Sequence, residues 1–113
     1  MPVYIAMNRF QIATGREGGF EELWRSRESH LEGVPGFREF HLLKGPTTQT
    51  HTLYASHTVW DSEASFRAWT ESESFKRAHA QARAPQDTYL GHPQFEGFEV
   101  VLSEGEGDRQ AGY

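Results

Sequence analysis

Residues Val3 to Ile12 narrow the folds open to this chain more than any other segment, because β-forming residues occupy both of their faces. Val3, Ile5 and Met7 fall on one face; Tyr4, Ala6, Phe10 and Ile12 fall on the other, where Asn8 is the polar interruption. A strand of this kind has to be covered on both sides. With 113 residues the chain has length for one core and not for separate binding and catalytic domains. Residues 1–103 are read as that one domain and residues 104–113 as a polar tail.

Thr14-Gly15-Arg16-Glu17 reads as a capping box, and Phe20, Leu23, Trp24 and Leu31 then mark the buried stripe of a helix ending near Gly33 and Pro35. Phe37 to Leu43 and Thr52 to Trp60 are two further strands, joined across Gly45-Pro46 and a run of Thr and Gln as an antiparallel hairpin. Asp61 or Ser62 caps a short helix through Phe66 and Trp69. Thr70 and Glu73 then offer a second capping box, which restarts a helix carrying Phe75 and His79 after a kink. Arg83 to Pro93 has no period and reads as a loop long enough to line a pocket. Phe95 to Leu102 alternates and reads as the last strand.

The order strand, helix, strand, strand, helix, strand defines an α+β fold, the ferredoxin-like split β-α-β with a four-stranded antiparallel sheet and helices on one face. The other face keeps apolar residues, Val3 and Ile5 or Tyr4 and Phe10 depending on register. Packing sheet against sheet in a homodimer is the expected cover.

Composition removes several functions. Net charge is −5 with both signs interspersed, so neither nucleic acid nor an anionic membrane is an expected partner. Without cysteine there are no disulfides, thiolate metal sites or thiol nucleophiles. No stretch approaches the ~20 apolar residues of a membrane span, and the first residues lack the pattern of a signal peptide, so the expected setting is cytoplasmic. Aromatic residues make up 13% of the chain, which argues for a packed core over disorder. Phosphate-binding glycine loops, nucleophile elbows and Ser/His/Asp sets are not readable.

Three side chains then stand out. His79 falls on the helical face defined by Phe75, Ala78 and Ala82, where burying an imidazole without a partner costs roughly 1 to 3 kcal/mol. Asn8 and Trp69 likewise lie on faces whose other members are apolar. An imidazole to ligate iron, a flat indole wall and a carboxamide donor together suit haem or another flat aromatic ligand. Each taken singly has an ordinary explanation as a core aromatic or a hydrogen-bonded polar residue. His30, His41, His51, His57 and His92 lack metal-type spacing and read as structural or solvated. Trp24 and Trp60 read as core, and Glu17, Glu21, Glu22, Glu28 and Glu32 as a solvated helix face.

Met7-Asn8-Arg9, Thr58-Val59-Trp60 with Ser62, Phe66-Arg67-Ala68-Trp69 and Phe75-Lys76-Arg77-Ala78-His79 resemble the antibiotic-biosynthesis-monooxygenase-like dimeric α+β barrels. Within these they are similar to the haem-degrading monooxygenases of the IsdG type. The resemblance implies a ferredoxin-like subunit dimerising into a barrel, with one haem per subunit serving as both substrate and cofactor. It implies His79 as the ligand of the haem iron, Asn8 as a distal polar residue and Trp69 as a wall that distorts the macrocycle. It further implies O₂-dependent ring opening with release of iron, and electrons from an external donor such as a reductase. Cofactor-free monooxygenases that oxidise small aromatics or quinols share the architecture and the helix-borne tryptophan. That activity, and a non-catalytic dimeric ligand-binding module, are the alternative expectations.

Overall fold

The computed structural model describes residues 2–26, 31–73, 75–76 and 86–105. Strands β1 (Tyr4–Ala13), β2 (Phe37–Thr47), β3 (His51–Trp60) and β4 (Gln94–Glu99) form one antiparallel sheet in the order β2-β3-β1-β4. Helices α1 (Glu17–Ser26) and α2 (Glu63–Thr70) complete the expected α+β order. Among the described residues no helix is long and apolar enough to cross a membrane.

The alternation along β1 sets the layers. Tyr4, Ala6, Phe10 and Ile12 are buried under the helices, whereas Ile5 and Met7 on the reverse face are only partly covered. The strand with two apolar faces is therefore central, as its sequence requires, and β2 and β4 are the edges.

Local chemistry explains the ends of the elements. Ser62 is the N-cap of α2, its hydroxyl accepting from the Ser65 amide. Gly36, at φ +82°, gives the carbonyl that accepts from the Asp61 amide at 2.7 Å; a Cβ there would overlap the Ser65 side chain, so only glycine lets α2 dock on this turn.

Four expectations change in detail. The Gly45-Pro46 pair lies within β2, at a register shift between Lys44 and Thr47, and the hairpin turns at Thr48–Thr50. An edge strand tolerates proline because its outer side owes no ladder hydrogen bonds. At the start of α1, Glu17 reaches back to the Gly15 amide while Thr14 donates to the Gln49 carbonyl, so the reciprocal capping box does not form. After α2 the new turn is capped by Ser72, which accepts from the Phe75 amide at 3.2 Å; Thr70 donates to the Arg67 carbonyl instead. Finally, β4 ends at Glu99, where the ladder with β1 stops at Tyr4; one more hydrogen bond, from the Val100 amide to the Val3 carbonyl at 2.9 Å, ties the chain down before it leaves the sheet. Val101 and Leu102 are then 94% and 77% exposed.

Glu17 and Glu21 are not merely solvated. Glu17 accepts from Thr52 at 2.8 Å, and Glu21 accepts from the buried Tyr54 hydroxyl, which ties α1 to β3. The backbone amides at the start of α1 and then Thr52 hold the Glu17 carboxyl below its usual range; the Tyr54 hydrogen bond does the same for Glu21. Burial, with Glu21 alongside, pushes the Tyr54 phenol up.

Candidate functional site: a hollow between two aromatic clusters

The side of the sheet under the helices carries two separate apolar clusters. One gathers Tyr4, Ala6, Leu31, Trp60 and Phe66; the other gathers Phe10, Ile12, Phe20 and Tyr54. Between them the helix-facing positions are small and polar: Asn8 on β1 lies directly across from Ser56 on β3, with Thr58 next along the same face. Side chains of that size cannot fill the space under two helices, and the core stays open there.

The resulting cavity measures about 530 Å³, within the usual range for small-molecule sites. Two stacked aromatic pairs flank it. Phe66 on α2 lies over Phe95 on β4, with centroids 5.6 Å apart and planes 8° from parallel; Trp24 on α1 lies over Phe40 on β2 at 5.5 Å and 13°. Trp69 adds a third flat wall, held by Trp60 at 5.4 Å and by the edge of Phe75 at 4.8 Å. The arrangement is a slot for a flat, largely apolar guest with a few polar atoms.

Polar groups in the cavity divide by whether they are already engaged. Thr58 accepts from the Trp60 indole at 2.9 Å and donates to the Ala6 carbonyl, and Arg67 grips Glu63 through two nitrogens. Among the described residues the Asn8 carboxamide makes no hydrogen bond and remains available to a guest.

Of the residues singled out from sequence, Asn8 and Trp69 line this one cavity. His79 lies outside the described residues. Trp60 is fully buried core, whereas Trp24 both packs and lines the cavity. Ser56, Phe40 and Phe95 were not singled out; only the strand register brings them to Asn8 and the aromatic slot, and register is not visible in a single strand's pattern. The loop before β4 supplies Tyr89 and Pro93 to the lining. Among the described residues there is no cluster of three or more metal-ligating side chains.

A four-stranded antiparallel sheet with two helices on one face and an aromatic cavity between the layers is the architecture of the ferredoxin-like monooxygenases. The chain belongs to the antibiotic biosynthesis monooxygenase family, whose model matches residues 3–81. It is 31% identical over 105 residues to the mycobilin-producing heme oxygenase of Mycobacterium tuberculosis, covering 93% of this chain and 94% of that protein. It is also similar to the solved structure of the heme-degrader MhuD from Mycobacterium tuberculosis with two hemes bound in its active site. There the TM-score is 0.69 and the identity 28%, over 90% of this chain and 99% of that one. SnoaB, a cofactor-independent oxygenase from Streptomyces nogalater, matches with a TM-score of 0.68 over 94% of this chain and 100% of that one; at 18% identity this is a likeness of fold.

Proposed function

We propose that this protein is a haem-binding, O₂-dependent monooxygenase that opens the porphyrin ring and releases its iron, with haem as both substrate and cofactor. The observation that carries the reading is the aromatic slot with Asn8 on its floor and Trp69 on its wall. The 31% identity to a heme oxygenase supports it.

The residues present fit such a guest. Stacked pairs on two sides match the faces of a macrocycle. Haem would supply the iron at which O₂ is reduced by electrons from an external donor, a reductase or a small reductant. The chain's own contributions are binding and orientation. Asn8 donates a hydrogen bond into the slot, Trp69 presses a rigid plane against one side of the guest, and the Phe66–Phe95 and Trp24–Phe40 pairs exclude water. His79 is proposed as the iron ligand. We assign the reaction to a single domain, residues 1–103, in the cytoplasm.

A haemin titration followed through the Soret band tests this reading. Saturation near one haem per subunit is expected, with His79→Ala weakening binding by about a hundredfold or more, since even the outer-shell partners of a metal ligand are typically worth about 10- to 100-fold. Unaltered binding by that variant removes His79 as ligand. If the parent binds no haemin yet consumes O₂ with a small phenol or quinol in metal-free form, the cofactor-free reading replaces it. The availability of Asn8 for a carbonyl or hydroxyl favours that reading next. Neither binding nor O₂ uptake leaves a non-catalytic ligand-binding module.

The active form is proposed to be a homodimer built on the uncovered sheet face. Leu43 and Phe98 on that face are 41% and 47% exposed, and Ile5 and Met7 lie beside them half-buried. Sedimentation velocity at micromolar concentration is expected to give a dimer, and Phe98→Lys to give a monomer. A monomeric parent would refute the arrangement.

A further inference from the structure

We propose that Tyr89 orients the ligand in the cavity, its phenol donating a hydrogen bond to a carboxylate oxygen of the guest, so that the site selects flat aromatic acids over their neutral counterparts. This rests on the reading of the cavity as a haem site.

The loop before β4 does more than connect. Tyr89 stands across from Ile12 in an isolated antiparallel bridge, and the Leu90 amide donates to the Gln11 carbonyl at 2.8 Å. One turn earlier Asp87 pairs with Arg16 at the start of α1, and Thr88 between them is buried. The segment is thus tied to β1 and to α1 at once. Because Ile12 points under the helices, its cross-strand neighbour does too. The Tyr89 ring meets Phe20 edge-on at 6.0 Å and 89° and lies 6.2 Å from Phe10, contacts that fix its plane.

The ring is held by its neighbours, but its hydroxyl is not. Among the described residues that hydroxyl makes no hydrogen bond, although Tyr89 lines the same cavity as Asn8 and Trp69. Burial raises the phenol's pKa, which keeps it neutral and able to donate. The other polar side chains of the cavity are largely committed: Thr58 to Trp60 and Ala6, Thr70 to the Arg67 carbonyl, Arg67 to Glu63. A neutral donor on a rigid ring is suited to an anionic acceptor, because hydrogen bonds to charged groups are the stronger ones and no second charge has to be desolvated. The oxygen atoms of a free porphyrin acid are its carboxylates, which makes them the partners this phenol has to recognise.

The test is a titration of the parent and of Tyr89→Phe with haemin and with haemin dimethyl ester, followed by the Soret band and by quenching of tryptophan fluorescence. Tyr89→Phe is expected to bind haemin about tenfold more weakly, as for the loss of a hydrogen bond to a charged acceptor, and to bind the ester as the parent does. Its thermal midpoint is expected to stay unchanged, since the ring packing is kept. Equal haemin binding by parent and variant overturns the assignment while leaving the haem reading intact. An equal loss for both ligands also overturns it, by showing that packing and not the carboxylate contact is at work. A parent that binds neither porphyrin overturns the haem reading, and the carboxylate contact with it.

Discussion

Trp60→Ala is expected to lower the unfolding free energy by about 3 to 5 kcal/mol, and with it the thermal midpoint by roughly 10 to 20 °C. The side chain has no exposed surface at all. Phe37 and Phe66 meet it edge-on at 5.5 and 5.8 Å, Trp69 leans on it at 5.4 Å, and its indole donates to Thr58. Truncation leaves a void where the end of β3, the start of β2 and α2 converge, and no neighbour is free to collapse into it. Trp69 would lose its backing, so ligand affinity is expected to fall as well. Trp60→Phe restores most of the packing and is expected to cost less than half as much. Urea unfolding followed by circular dichroism measures both; a loss under about 1 kcal/mol for Trp60→Ala would contradict this account of the core.

Gly97→Ala is the second large effect expected, about 2 to 3 kcal/mol of destabilisation by overpacking. Gly97 stands across from Ala6 in the β1–β4 ladder, and a Cβ there would overlap the hydroxyl and ring of Tyr4. That ring has nowhere to retreat, because Phe66 lies against it at 5.6 Å within the same buried cluster. The glycine therefore lets a large aromatic lie across an edge strand and brace α2. A double variant, Gly97→Ala with Tyr4→Leu, is expected to recover part of the loss, since the smaller side chain clears the new methyl group. Additive destabilisation in thermal unfolding would show that the two positions are not coupled.

The architecture was legible because its determinants are local and periodic. The two apolar faces of residues 3–12, the serine before α2 and the polar stretch between β2 and β3 each announce themselves within a few residues. Ends were less legible. Thr70 has the right spacing to cap the turn carrying Phe75, but Ser72 lies nearer and takes the role; Val100 to Leu102 alternate like a strand, yet pairing stops with the Val100 amide on the Val3 carbonyl, and Val101 and Leu102 are exposed. Two residues of the candidate site were readable as isolated oddities, Asn8 and Trp69 among apolar neighbours. What the sequence hid was the reason they share a cavity: Ser56 across from Asn8 leaves a gap between two aromatic clusters, and that depends on register between strands 48 residues apart, counting from Asn8 to Ser56. The loop from Arg83 to Pro93, which carries Tyr89, was readable as a pocket lining, but the bridge from Tyr89 to Ile12 was not, since it joins distant parts of the chain.

The placement of Pro46 has a consequence for how these molecules avoid one another. β2 forms an outer border of the sheet, and a row of unused amides and carbonyls on such a border invites runaway strand addition. Pro46 contributes no amide, the irregularity between Lys44 and Thr47 bends the ribbon there, and Lys44 adds a charge that a growing fibril would have to bury. That border is poorly suited to templating another strand, so a crowded solution of this protein is protected from amyloid-like growth along β2.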